Sequence, residues 1–149
     1  MRIKIINGPN LNLLGMRDNH IYGKETLSEV EIWLHSKIKN ENSIKWFQSN
    51  HEGKIIDEIH SCIGSYDGII INPGAFTHYS YSIRDAIESV SIPTVEVHLS
   101  DIHNREDFRK ISVIKDVCIE QISGLGKTGY LNATKILITH ENKKETSSF

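Results

Sequence analysis

Two hydrophobic periods alternate along this chain. Ile3–Ile6, Ile44–Ser49, Gly68–Ile71, Thr94–His98 and Val117–Ile122 are short runs of the length and composition of strands. Between them the spacing lengthens to that of helices. Leu27, Val30, Trp33, Leu34 and Ile38 mark one helical face, with Thr26 and Glu29 placed as a capping box ahead of it. Ile55, Ile56, Ile59 and Ile63 mark a second. Ile83, Ala86, Ile87 and Val90 mark a third, from about His78 to Ser89. A short helix is predicted near Arg105–Phe108. Gly124–Gly129 then breaks the chain before a last helix through Ala133, Ile136 and Leu137. Gly68–Ile71 is wholly apolar, as a strand covered on both faces must be. Alternating strands and helices predict an α/β domain over residues 1–140, a five-stranded parallel sheet with helices on both faces. A flavodoxin-like strand order fits best. The polar stretch 141–149 is expected to fray as a tail.

Composition narrows the partners. The chain has 149 residues and a formal net charge of −2, which gives no electrostatic reason to expect nucleic acid or an anionic membrane surface. No apolar run reaches the length of a membrane span, and the N-terminus opens directly on a strand without a signal-peptide pattern, so a soluble cytoplasmic protein is expected. Cys62 and Cys118 lie in apolar surroundings and in no metal-ligand spacing, and read as small core residues.

Candidate chemistry gathers where the strands end. After strand one, Asn7-Gly8-Pro9-Asn10 stops the strand, and a loop of about fifteen residues follows, much longer than a βα connection requires. It carries the amide of Asn10, the guanidinium of Arg17 and the phenol of Tyr22. In open parallel sheets, ligands bind beyond the carboxyl ends of the strands. There the first loop should meet Asn72 and His78 after strand three, and Glu96, His98, Leu99 and Ser100 around the end of strand four. Glu96 and His98 share one side of that strand. Arg105 and Arg109, four apart, are expected on one face of the short helix. Each residue has a plain alternative when taken singly. Asn72 is equally a turn amide before Pro73, His98 a satisfied core histidine, and the two arginines a solvated face. Their convergence at one predicted mouth favours a polar pocket with donors for an anion and an imidazole for acid–base work. Gly126-Lys127-Thr128 imitates the end of a phosphate-binding loop, but Gln121 stands where its first glycine belongs. Glu96, His98 and His78 lack the paired spacing of a metal site, so no metal is expected.

The same residues resemble the type II 3-dehydroquinate dehydratase family. Asn7 through Gly15 with Arg17 and Tyr22-Gly23 is similar to its N-terminal block. Gln48-Ser49-Asn50-His51-Glu52-Gly53 and Asn72-Pro73-Gly74-Ala75-Phe76-Thr77-His78 with Arg84-Asp85-Ala86 resemble the next two. Glu96-Val97-His98-Leu99-Ser100 with Arg105-Glu106 and Phe108-Arg109 resembles the fourth, and Gly124-Leu125-Gly126 with Gly129-Tyr130 the ending. The blocks run in order along nearly the whole folded length. The resemblance implies a flavodoxin-like fold, a cofactor-free lyase of the shikimate pathway, and trimers assembled into a dodecamer.

It also implies roles. Tyr22 would be the base, as tyrosinate, removing a proton α to the ketone of 3-dehydroquinate, with Arg17 stabilising the phenolate. An ordinary phenol has a pKa of ~10, and lowering it by roughly three units takes about 4 kcal/mol. One guanidinium at ~4 Å in a medium of effective dielectric near 20 supplies about that much. Asn10 would hold a water on the enolate oxygen. His98, oriented by Glu96, would protonate the departing hydroxyl, which Asn72 helps to hold. The substrate carboxylate would rest on the amides of Leu99 and Ser100 and the Ser100 hydroxyl, with Arg109 and His78 on ring hydroxyls. Asp85 would reach a neighbouring subunit's pocket.

The chain departs from the family pattern where Asp18-Asn19 replaces a usual Glu-Pro in the lid, which predicts a more mobile lid. Asp101 replaces a usual Asn, adding negative charge near the carboxylate site; Lys110 and Ile111 replace His-rich positions, and Tyr79 a small hydroxyl residue. Other classes fit less well. A phosphorelay receiver needs acidic residues after strand one. A flavin or nucleotide binder needs glycines opening a helix directly. A Schiff-base dehydratase needs a pocket lysine.

Overall fold

The computed structural model describes residues 1–147. Five strands, β1 (Arg2–Asn7), β2 (Ser43–Gln48), β3 (Gly68–Asn72), β4 (Thr94–His98) and β5 (Glu120–Ser123), form one parallel sheet in the order β2-β1-β3-β4-β5. This is the flavodoxin-like arrangement, with the strand order turning back between β1 and β3. The helices are α1 (Asn19–Tyr22), α2 (Leu27–Lys37), α3 (Glu52–Ser61), α4 (Tyr81–Val90) and α5 (Thr128–Ser147). Among the described residues, none of them is long and apolar enough to cross a membrane.

Strand alternation divides the core between the two faces of the sheet. Ile3, Ile5, Ile70, Val95 and Val97 pack with Leu34 of α2 and with Tyr130, Ala133 and Leu137 of α5. Ile6, Ile69 and Ile71 pack on the other face with Ile55, Ile59, Ile83 and Ile87 of α3 and α4. Every residue of β3 is buried, as its apolar sequence predicts. The capping box forms: the Thr26 hydroxyl accepts from Glu29 N–H and the Glu29 carboxylate accepts from Thr26 N–H. A lysine side chain also enters this face, beside α3. Lys4 is 9% exposed, pairs with Glu58, and lies 5.2 Å from the centroid of the Tyr66 ring.

Several boundaries differ from the sequence expectation, each for a local reason. The helix expected from about His78 starts at Tyr81 instead, behind a 3-10 helix at Gly74–His78, because the buried Ser80 hydroxyl caps Ile83 N–H. Arg105 and Arg109 do not share a helix. Two short 3-10 helices, Ile102–Asn104 and Asp107–Lys110, flank Arg105. Strand β5 starts at Glu120 rather than Val117, since the Ser112 hydroxyl accepts from Lys115 N–H and 115–117 closes as a 3-10 turn. The segment expected to fray is helical as far as Ser147, continuing α5; Ser148 and Phe149 lie outside the described residues.

Candidate active site

The loops after β1, β3 and β4 meet beyond the carboxyl edge of the sheet and enclose a cavity of about 110 Å³. Two of these loops touch main chain to main chain. Gly8 N–H donates to Asn72 O at 2.7 Å, and a side chain at Gly8 would place its Cβ 2.5 Å from the Pro73 carbonyl. Only glycine permits that approach. Asn10, next in the loop, takes a left-handed φ of 68° and is pinned by its N–H donating to Asn50 Oδ1. Gln48 braces the same loop, donating to Gly8 O at 3.1 Å.

The lid is partly ordered by its own side chains. Asp18 caps α1 by accepting from His20 N–H, so the residue that departs from the family pattern closes a helical turn. Tyr22 ends that turn and faces the cavity. Its phenolic oxygen accepts from Arg105 Nη1 at 2.8 Å, and the Arg17 guanidinium stacks 3.7 Å from its ring centroid. The sequence reading pairs the phenol with Arg17. In the structure Arg17 covers the ring face while Arg105, on the far wall, meets the oxygen.

Opposite lies a buried carboxylate–imidazole pair. Glu96 is 0% exposed and His98 5%. His98 Nε2 stands 2.6 Å from Glu96 Oε1. A carboxylate only accepts, so Nε2 carries the hydrogen and Nδ1 is the nitrogen left for a ligand. Glu96 Oε1 also accepts from Thr77 Oγ1 at 2.5 Å and Ser112 Oγ at 2.8 Å. Its Oε2 accepts from Gln121 Nε2 at 3.0 Å. The register of β4 on β5 sets Gln121 beside Glu96, on the same face of the sheet. Burial alone would raise the Glu96 pKa, but the hydrogen bonds from His98, Thr77 and Ser112 hold it below the usual carboxylate range.

His78 completes the wall. Its Nδ1 lies 2.7 Å from Ile111 O, a carbonyl that can only accept, and burial pushes its pKa down. The ring is therefore neutral with Nε2 left as an acceptor. Asn72 is 3% exposed; its Nδ2 donates to Tyr130 Oη and its Oδ1 accepts from Gly74 N–H. The Arg109 Nε lies 2.9 Å from Glu106 Oε2, close enough for an ion pair but not aligned for a hydrogen bond.

The dehydroquinase class II family model matches residues 1–138. The chain belongs to the class II dehydroquinase family. The 3-dehydroquinate dehydratase of Thermotoga petrophila is 52% identical over 141 residues, which is 92% of this chain and 94% of that protein. The 3-dehydroquinate dehydratase of Caldicellulosiruptor saccharolyticus is 55% identical over 135 residues, 89% of this chain and 92% of its own. The crystal structure of type II dehydroquinase from Butyrivibrio crossotus matches with a TM-score of 0.89 at 49% identity, covering 92% of this chain and 97% of that one.

Most residues singled out in the sequence of this dehydroquinase family member line the one cavity: Asn10, Arg17, Tyr22, Asn72, His78, His98, Leu99, Ser100 and Arg109. Glu96 stands behind His98 rather than in the lining. Asp85 is exposed on α4 and outside this cavity. Asp101, expected to load the carboxylate site with charge, accepts from His103 N–H and Asn104 Nδ2 and does not line the cavity. Nothing in the sequence pattern marks Thr77, Ser112 or Gln121 as partners of Glu96. Their contacts to Glu96 span 16 to 25 residues and leave no local pattern, although the pairing of β4 with β5 would have put Gln121 beside Glu96.

Proposed function

We propose that this chain dehydrates 3-dehydroquinate to 3-dehydroshikimate, the shikimate-pathway step, through an enolate formed by tyrosinate and collapsed by histidine. The observation that carries this reading is that a guanidinium-bound phenol and a carboxylate-bound imidazole face one cavity of small-molecule dimensions.

Tyr22 is the base. A proton α to a ketone leaves only if the base and the resulting enolate are both stabilised. Arg105 Nη1 donates to the phenolic oxygen and the Arg17 guanidinium stacks on its ring, so two cations face the group assigned as base. Asn10 would position the water that donates to the enolate oxygen. The enolate then expels the β-hydroxyl, which takes a proton from His98 Nδ1 and leaves as water; His98 enters this step protonated on both nitrogens, with Nε2–H held by Glu96, and ends it neutral. Asn72 and neutral His78 orient hydroxyls of the ring. Leu99 and Ser100 are the anion-binding side, matched to the substrate carboxylate, and Arg109 meets a ring hydroxyl beside His78. Among the described residues no lysine lines the cavity, so a Schiff-base route has no nucleophile there. The reading further expects a cytoplasmic, cofactor-free enzyme of trimers assembled into a dodecamer, in which Asp85 serves the site of a neighbouring copy.

The test is the ultraviolet absorbance of the conjugated enone as protein meets 3-dehydroquinate, beside Tyr22→Phe. Turnover that falls by at least about a hundredfold in the variant supports the base. Turnover surviving there moves the base elsewhere, and a borohydride-trapped adduct would replace the mechanism with imine chemistry.

A further inference from the structure

We propose that Ser112 is a positioning residue of the acid half of the site, holding Glu96 as the anion that orients His98. The inference rests on the proposed dehydration and assigns a group outside the cavity lining to it. Ser112 Oγ sits astride the Glu96 carboxylate, 2.8 Å from Oε1 and 2.9 Å from Oε2. Its one hydrogen goes to that carboxylate, which can only accept, while its oxygen accepts from Lys115 N–H at 3.1 Å and lies 3.1 Å from Thr77 Oγ1. With Thr77, Gln121 and His98 donating as well, about four lone-pair sites meet four donors, and Glu96 has no open acceptor.

Ser112 is also the middle of a strut. On one side of it, Ile111 O holds His78 Nδ1; on the other, Val113 N–H donates to Thr77 O at 2.8 Å and Val113 O accepts from Arg84 Nη1 at 2.9 Å. Three consecutive residues thus fix the imidazole of His78, the carboxylate behind His98 and the helix start between them. The replaced family position at Ile111 acts through its main-chain carbonyl, so its side chain, 60% exposed, is free of that duty.

The charged and titratable groups facing Glu96 are His98 on its own strand, His78 from the 3-10 helix after β3, and the Cys118 thiol before β5, which burial and then the Glu96 charge push up. The other close partners, Thr77, Ser112 and Gln121, are neutral. Removing the Ser112 hydroxyl therefore leaves the anion short of one donor with no charge to replace it.

Steady-state kinetics of Ser112→Ala and Ser112→Thr across pH test this. The alanine variant should lose about tenfold in kcat with KM within about twofold, because the loss falls on a group used in the transition state. The acid limb of its kcat profile should move to higher pH, and threonine, which keeps the hydroxyl, should restore both. A second readout is independent of turnover. Glu96 is depressed in the fold, so its stabilisation is present above the ordinary carboxylate pKa and lost as pH falls through the folded value. The gap in Tm between the parent and Ser112→Ala should be widest near neutrality and should narrow on acidification. A Tm gap constant with pH, an unmoved acid limb, or a threonine variant as impaired as alanine overturns the proposal. Absence of turnover in the parent refutes the dehydration instead, and the Tm comparison still decides the Ser112–Glu96 coupling.

Discussion

Arg105→Ala separates the two arginines around Tyr22. In the parent, Arg105 Nη1 donates to the phenolic oxygen at 2.8 Å, and only 19% of the arginine side chain is exposed. A hydrogen bond to a charged group contributes about 1.5–3 kcal/mol net. If that group is the tyrosinate that removes the proton, losing the bond lowers kcat/KM by roughly 10- to 150-fold. Arg17 touches the ring face, where a cation–π contact is worth about 0.5–2 kcal/mol, so Arg17→Ala should cost roughly 2- to 30-fold if stacking is its whole contribution. The assay is enone absorbance under kcat/KM conditions for both variants, with added guanidinium to refill the space left by Arg105. The expected order is a larger loss at Arg105 with partial recovery on guanidinium. An Arg105→Ala enzyme within about twofold of the parent would refute the reasoning. So would an Arg17→Ala loss far exceeding it, which would return the phenolate partnership to Arg17.

Other outcomes follow from the packing. Tyr130→Phe removes the buried hydroxyl that donates to Asn7 Oδ1 and accepts from Asn72 Nδ2, leaving two buried amides short of a partner. Thermal unfolding should show a loss of about 2–4 kcal/mol, and kcat should fall as the Asn72 amide loosens. Gly8→Ala sets a Cβ against the Pro73 main chain, which cannot yield as a side-chain tip would. A loss of about 1–3 kcal/mol in denaturant unfolding is expected, with weaker substrate binding because the two loops part at the cavity. Burial pushes the Cys62 thiol up to about 11. It therefore stays protonated at mildly alkaline pH, and a thiol reagent should label it only with global unfolding.

Legibility in the sequence followed the range of the interaction. Strands β3 and β4 and the Thr26–Glu29 capping box depend on neighbours within a few residues, and their patterns sit on the surface of the sequence. Glu96 with His98 was readable for the same reason, being two apart on one strand. The Arg105–Tyr22 contact spans 83 residues, and nothing local distinguishes that arginine from Arg17 or Arg109. Ser112 and Gln121 reach Glu96 across elements whose packing only the fold supplies. Gln121 in particular shows in the sequence only as the wrong residue for a phosphate loop. The 3-10 segments escaped because a helical period cannot be read from three or four residues. The end of α5 escaped because its polar residues look the same on a solvated helix as in a tail.

The donor set around Glu96 bears on proton traffic. Both carboxylate oxygens of Glu96 already hold hydrogen-bond donors from the protein, and Glu96 stands outside the cavity lining, so the exchangeable face of the pair is the His98 side. On the proposed mechanism a proton delivered from His98 is replenished from the cavity mouth, so turnover should exchange hydrogen with bulk water on the substrate side. The interior of the sheet then serves as an insulator, not a conduit.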